Sequence, residues 1–190
     1  MKKIAILASG SGTNAENIAR FFRKEKTAIV ALILSNNKDA YVLRRAEKLE
    51  IPYITFNRED FYSSDRVLNI LQDHRIDLIV LAGFLWLIPR NILKAFPKRI
   101  VNIHPALLPG YGGKGMYGDS VHKAVIENGE KESGISIHYV NEKYDEGEII
   151  FQARCPLSEQ DTAESLAGRI HELEYKHFPE VINRLVKDMD

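Results

Sequence analysis

Short runs of Ile, Val and Leu recur at Ile4 to Ala8, Ile29 to Leu34, Leu78 to Ala82 and Ile100 to Ile103. Each is too short for a helix and is bounded by turn residues, which predicts buried parallel strands. Between them lie segments of helical spacing, Asn14 to Lys24, Ala40 to Leu49, Asp60 to His74 and Pro89 to Ala95, the last opening with a proline suited to a first turn. A weaker strand is expected at Tyr53 to Phe56. Strands apolar on both faces must be covered by helices on both faces, so the alternation predicts an α/β, Rossmann-like layered fold.

After His104 the pattern changes. The stretch "GYGGKGMYG", residues 110–118, carries five glycines in nine residues and is expected as an irregular loop able to act as a lid. A helix is expected around Ser120 to Asn128. "GISIHYV" and "EGEIIFQARCPL" then read as two strands joined by a turn at Asp145-Glu146-Gly147, an antiparallel C-terminal extension of a largely parallel sheet. Thr162 to Lys187 has the spacing of a long C-terminal helix, with a bend or break expected at Pro179.

The 190 residues fit one domain, and Lys plus Arg balances Asp plus Glu at 26 each. No basic field therefore points to a nucleic-acid partner, and any phosphate must be recognised locally. A single cysteine, Cys155, excludes an intramolecular disulfide. No signal-peptide pattern opens the chain, and no apolar stretch approaches the roughly 20 residues needed to span a bilayer. A cytoplasmic protein with no membrane partner is expected, while sequence does not decide between monomer and homo-oligomer.

In open α/β sheets ligands bind beyond the carboxyl ends of the strands. After the first strand, "SGSGTNAE" places Gly10 and Gly12 where backbone amides can turn toward an anion at a helix start, with Thr13 and Asn14 following. The same glycines fit a tight turn with no ligand. Read as Gly10-x-Gly12-x-x-Ala15, they also fit a looser dinucleotide fingerprint, but the second strand ends Ser35-Asn36-Asn37, without the acid that would hold a ribose. In "LAGFLWLIP", Gly83 permits a close approach and Phe84 to Ile88 could hold a flat apolar ring or lead into core. In "NIHPALLP", the two-residue strand period puts Asn102 and His104 on one face while Val101 and Ile103 take the other. Pro105 keeps His104 out of helical geometry. A histidine that carries a proton near neutrality needs a carboxylate, and Asp145 in "YDEGEI" is the candidate, or else a solvated turn residue. His171 and His177 are six apart and do not share a helix face, so no metal site is expected.

Together "SGSGTN", "SNN", "VLAGFLWLI", "NIHPALLP", "GISIHYV", "YDEGEII" and "HELEYKHFP" make the chain resemble, over nearly its whole length, the 10-formyltetrahydrofolate-dependent formyltransferases, most closely those acting on glycinamide ribonucleotide in purine synthesis. The resemblance implies that Asn102, His104 and Asp145 form the catalytic set and that Gly12, Thr13 and Asn14 hold the substrate phosphate. It implies that Glu174 meets the substrate amine, and that Arg58, Leu85, Trp86, Leu87, Ile88, Asn102, Val140 and Asn141 contact the folate. Residues 1–100 would then be a phosphate-binding half, and 101–190 a catalytic and folate-binding half. 10-Formyltetrahydrofolate is the implied cosubstrate. At Trp86 better-known members carry an arginine, and the glycine-rich loop is longer than usual. A tRNA formyltransferase would be expected to bring a basic C-terminal domain, and a formyltetrahydrofolate hydrolase an N-terminal regulatory one. The alternative of another class is a dinucleotide-binding regulatory module. In the implied reaction the amine attacks the formyl carbon, and Asn102 with a protonated His104, supported by Asp145, stabilises the oxyanion.

Overall fold

The structure is a computed structural model and describes residues 1–189. Its seven strands are β1 (Lys2–Leu7), β2 (Ala28–Ser35), β3 (Tyr53–Thr55), β4 (Leu78–Leu81), β5 (Ile100–His104), β6 (Glu132–Tyr139) and β7 (Ile149–Pro156). They form one sheet in the order β3-β2-β1-β4-β5-β6-β7. The first five pair in parallel, and β6 and β7 run antiparallel. The expected α/β fold with an antiparallel C-terminal extension is the one observed.

Alternation along β1 shows why the sheet is covered twice. Ile4, Ile6 and Ala8 enter one core with α1 (Thr13–Glu25), α2 (Tyr41–Lys48), α5 (Asp119–Glu127) and α6 (Ala163–Lys187). Ala5 and Leu7 enter the other with α3 (Arg66–Asp73) and α4 (Arg90–Ala95). All of these side chains, those of β1 and of Ala8 just after it, are essentially without solvent contact. Strand order reverses at β1: the chain runs outward through β2 and β3, then returns to place β4 on β1's other side. The carboxyl ends of β1, β4 and β5 therefore open a crevice at the switch point, where a ligand can enter between diverging loops.

Two expectations are corrected. The helix expected over Asp60 to His74 is a single π-helical turn, Glu59–Ser63, followed by α3. Asp60 and Asn57 exchange side-chain and backbone hydrogen bonds of 2.9 and 3.1 Å, and Ser64 is extended. Such polar side chains compete with the helical ladder. Pro179 does not break α6, which continues from Ala163 to Lys187. Proline removes the N–H that would serve the carbonyl four residues earlier, Tyr175. Asn17 of α1 donates its side-chain amide to that oxygen at 2.9 Å. Thr162 and Ser165 close the start of α6 as a capping box.

Candidate functional site

The crevice holds a cavity of about 580 Å³ bounded by the ends of β1, β4 and β5, the start of α1, the glycine-rich loop, and α5 and α6. Asn102, His104, Asp145, Gly12, Thr13, Asn14, Glu174 and Leu85 all line it. Residues 105–118 contain neither helix nor strand, as expected, and the loop forms one wall.

Asn102 and His104 reach the cavity from β5, where Asn102 lies opposite His138 of β6 and His104 opposite Ser136. Directly opposed side chains on one face of an antiparallel pair are in contact. The His138 ring meets the Tyr139 carbonyl with Nδ1 at 2.8 Å and the Asn102 amide with Nε2 at 3.1 Å. The same amide nitrogen lies 3.5 Å from Asp145 Oδ1.

Asp145 arrives from the β6–β7 turn. Its own φ is 55°, a left-handed conformation that aspartate tolerates better than most residues. Gly147 makes the turn feasible, since a Cβ there would lie 1.6 Å from the Tyr139 carbonyl oxygen. The carboxylate stands 3.5 Å from His104 Nδ1 and accepts the Gly113 N–H at 3.0 Å. Burial works to raise its pKa, but its neighbours His138 and His104 and the Gly113 amide together hold it below the ordinary aspartate value.

His104 is only 3% exposed, and its Nε2 faces the Tyr111 carbonyl at 2.7 Å. Burial drives the imidazole pKa below its ordinary value, with Asp145 and the Tyr111 carbonyl pulling upward and losing. The support expected from Asp145 is therefore in the right direction, and burial outweighs it. Desolvation penalises the charged ring more than one partner 3.5 Å away rewards it. Both ring nitrogens nonetheless face acceptors, an arrangement that only the doubly protonated ring satisfies fully.

At the other end of the cavity Glu174 of α6 accepts the Asn14 side-chain amide of α1 at 2.9 Å. Glu174 is 7% exposed, and burial raises its pKa above the usual carboxylate range. Asn14 Oδ1 and His122 Nδ1 are buried here without a partner among the described residues. Unsatisfied polar atoms of this kind cost stability and suit a polar ligand.

The remaining expected contacts do not line the cavity. Arg58 stacks on Trp86 at 4.8 Å within a cluster of Phe56, Phe61, Tyr62 and Phe84. The Leu87 carbonyl accepts the Tyr62 hydroxyl at 2.9 Å, and Ile88 is core. Val140 packs on the second core, and Asn141 accepts the Lys143 N–H. The Tyr144 hydroxyl donates to the Leu85 carbonyl at 3.4 Å and so joins the two rims to which these residues belong.

Sequence reasoning missed His122, His138, His171 and Tyr144. The β5–β6 register sets His138 against Asn102. His122 and His171 come from helices α5 and α6, which pack together around the cavity wall. Among the described residues no group of three or more His, Cys, Asp or Glu could hold a metal ion, and no helix is long and apolar enough to cross a membrane.

The family described as formyl transferase matches residues 2–182. The chain is 40% identical over 193 residues to the chloroplastic phosphoribosylglycinamide formyltransferase of Arabidopsis thaliana, covering 98% of this chain and 66% of that protein. It is 39% identical over 187 residues to the phosphoribosylglycinamide formyltransferase of Haemophilus influenzae, covering 96% and 86%. Among solved structures, glycinamide ribonucleotide transformylase 1 from Symbiobacterium toebii superposes with a TM-score of 0.89 at 36% identity, covering 98% of this chain and 88% of that one.

Proposed function

The chain belongs to the formyl transferase family, among its phosphoribosylglycinamide formyltransferases, and from that premise we infer that it transfers the formyl group of 10-formyltetrahydrofolate to the amine of glycinamide ribonucleotide in purine synthesis. The observation that carries the reading is one cavity holding the Asn102–His104–Asp145 cluster, the α1 turn and the buried Glu174. An imidazole beside a carboxylate serves a tetrahedral acyl intermediate. Backbone amides at a helix start serve a phosphate. The dinucleotide alternative has no such use for Asp145 or Glu174.

In this reading Gly12, Thr13 and Asn14 seat the phosphate, and the unpartnered Asn14 Oδ1 and His122 Nδ1 meet substrate hydroxyls. Glu174, with its raised pKa, receives the amine. The folate formyl group lies between Leu85 and the cluster, while Arg58, Trp86, Leu87, Ile88, Val140 and Asn141 form the outer folate contact once the Tyr144–Leu85 bond parts. Residues 1–100 supply the phosphate seat and 101–190 the catalytic cluster. The two halves share the folate.

The amine nitrogen attacks the formyl carbon, forming the new C–N bond and moving the carbonyl pair onto oxygen. Protonated His104 exchanges the Tyr111 carbonyl for that oxyanion and donates to it from Nε2, while the Asn102 amide exchanges its long 3.5 Å contact with Asp145 for the same oxygen. Collapse breaks the bond to the folate nitrogen, which leaves with its electron pair and takes the proton lost by the amine through the His104–Asp145 pair. A low imidazole pKa makes His104 a ready donor. The enzyme thus needs no nucleophile of its own, only two substrates held in register. Small-molecule substrates in the cytoplasm, without nucleic acid, complete the proposal.

A formyl-transfer assay with a parallel melting panel tests it. Glycinamide ribonucleotide should raise the melting temperature and be formylated; a rise with NAD and none with the ribonucleotide would refute the reading.

A further inference from the structure

Arg45 of α2 lies outside the cavity, yet its contacts end on the segment that receives the phosphate in the reading above. Its Nε donates to the Ser11 carbonyl at 2.8 Å, its guanidinium pairs with Glu16, and its Cζ lies 4.9 Å over the Tyr41 ring. Helix α2 grips the same turn twice more. The Val42 N–H donates to the Gly10 carbonyl at 3.1 Å, and a Cβ on Gly12 would come within 2.3 Å of Val42 Cγ2. Gly12 has φ 74°, so both conformation and space exclude a side chain there.

Two physical consequences follow. A trans peptide unit is planar, and its C=O and N–H point in opposite directions. Holding the Ser11 carbonyl toward Arg45 therefore turns the Gly12 N–H to the other side. The second consequence is electrostatic. Glu16 sits in the first turn of α1, where its carboxylate repels any anion seated at the helix start. Arg20 and Arg45 hydrogen-bond it and hold its pKa below the ordinary range. The Arg20 side chain is 65% exposed and that of Arg45 25%, so Arg45 is the less screened counter-charge.

We propose that Arg45 is a positioning residue for the substrate phosphate, fixing the Ser11–Gly12 peptide so that its amide faces the anion and cancelling the Glu16 charge beside it. The assignment rests on the reading that a phosphate binds at Gly12 to Asn14. It gives α2, which contributes nothing to the cavity wall, a part in substrate recognition.

The test compares Arg45→Gln, Arg45→Lys and Arg45→Gln with Glu16→Gln, using glycinamide ribonucleotide and its phosphate-free riboside. Arg45→Gln should raise KM for the ribonucleotide about tenfold, with kcat, folate KM and riboside KM changed by less than about twofold. Arg45→Lys, which keeps charge but not the planar fork, should recover part of the loss, and the double variant should bind the ribonucleotide better than Arg45→Gln alone. An equal loss for ribonucleotide and riboside, a joint change in kcat and both KM values, or no change at all overturns the assignment. If the wild-type protein transfers no formyl group, the functional reading fails separately. Inorganic phosphate then decides on Arg45: it should raise the melting temperature of wild type more than that of Arg45→Lys or Arg45→Gln, and equal shifts would overturn the proposal.

Discussion

His104 carries opposing demands within a few ångströms. Burial favours the neutral ring, while the Tyr111 carbonyl and Asp145 face its two nitrogens. The proposed chemistry uses the protonated ring. His104→Ala and Asp145→Asn should therefore fold, with melting temperatures close to wild type, yet lose about a hundredfold or more in kcat. Wild-type turnover by purified His104→Ala would remove this residue from the mechanism. The pH dependence has a definite sign. The folded pKa lies below the ordinary histidine value of roughly 6.5, so kcat should fall as pH rises through that lowered pKa. Asp145 pulls the His104 pKa upward, and Asp145→Asn should move the falling limb to still lower pH. A kcat profile whose limb stays in place would show that the pair is not coupled. Asn102 and His104 were legible from strand period alone, whereas the His138 ring that meets the Asn102 amide was not.

At the scale of elements, α6 shows how a local rule is overridden by a distant residue. Pro179 should interrupt the helix, but Asn17 supplies the missing hydrogen bond to Tyr175 from across the interface between α1 and α6. Asn17→Ala should cost about 0.5–1 kcal/mol, at the low end because the bond is solvent-accessible. In a Pro179→Ala background the backbone N–H returns, and the same substitution should cost less than half as much. Equal costs in denaturant titrations of the two backgrounds would exclude the compensation. The interruption matters because α6 carries Glu174 and His171 into the cavity on the helical turns just before the proline. A kink at Pro179 would change how those turns sit against α1.

Across the whole molecule, buried titratable groups set the stability profile. His104, His122 and His177 all have pKa values lowered by burial, so the unfolded chain binds more protons than the folded one near their ordinary pKa. Their contribution is present above about pH 6.5 and is lost as pH falls through the lowered folded values. Glu174 runs the other way: with its pKa raised, its contribution is present in acid and lost as pH rises through the folded value. Glu174→Gln should thus melt about 2 °C or more above wild type at pH 8, with the gap closing toward pH 4, while losing activity. A gap independent of pH would show that the carboxylate is not ionising under strain. By itself the sequence determined the α/β layering, the strand ends that carry chemistry, and the shared face of Asn102 and His104, because periodicity and turn preference act over a few neighbouring positions. Only the tertiary structure decided the β5–β6 register that joins Asn102 to His138, the rescue of Pro179 by Asn17, and the reach of Arg45 to Ser11. Those contacts span 36, 158 and 34 residues, distances over which local preference carries no information and only the path of the packed chain does.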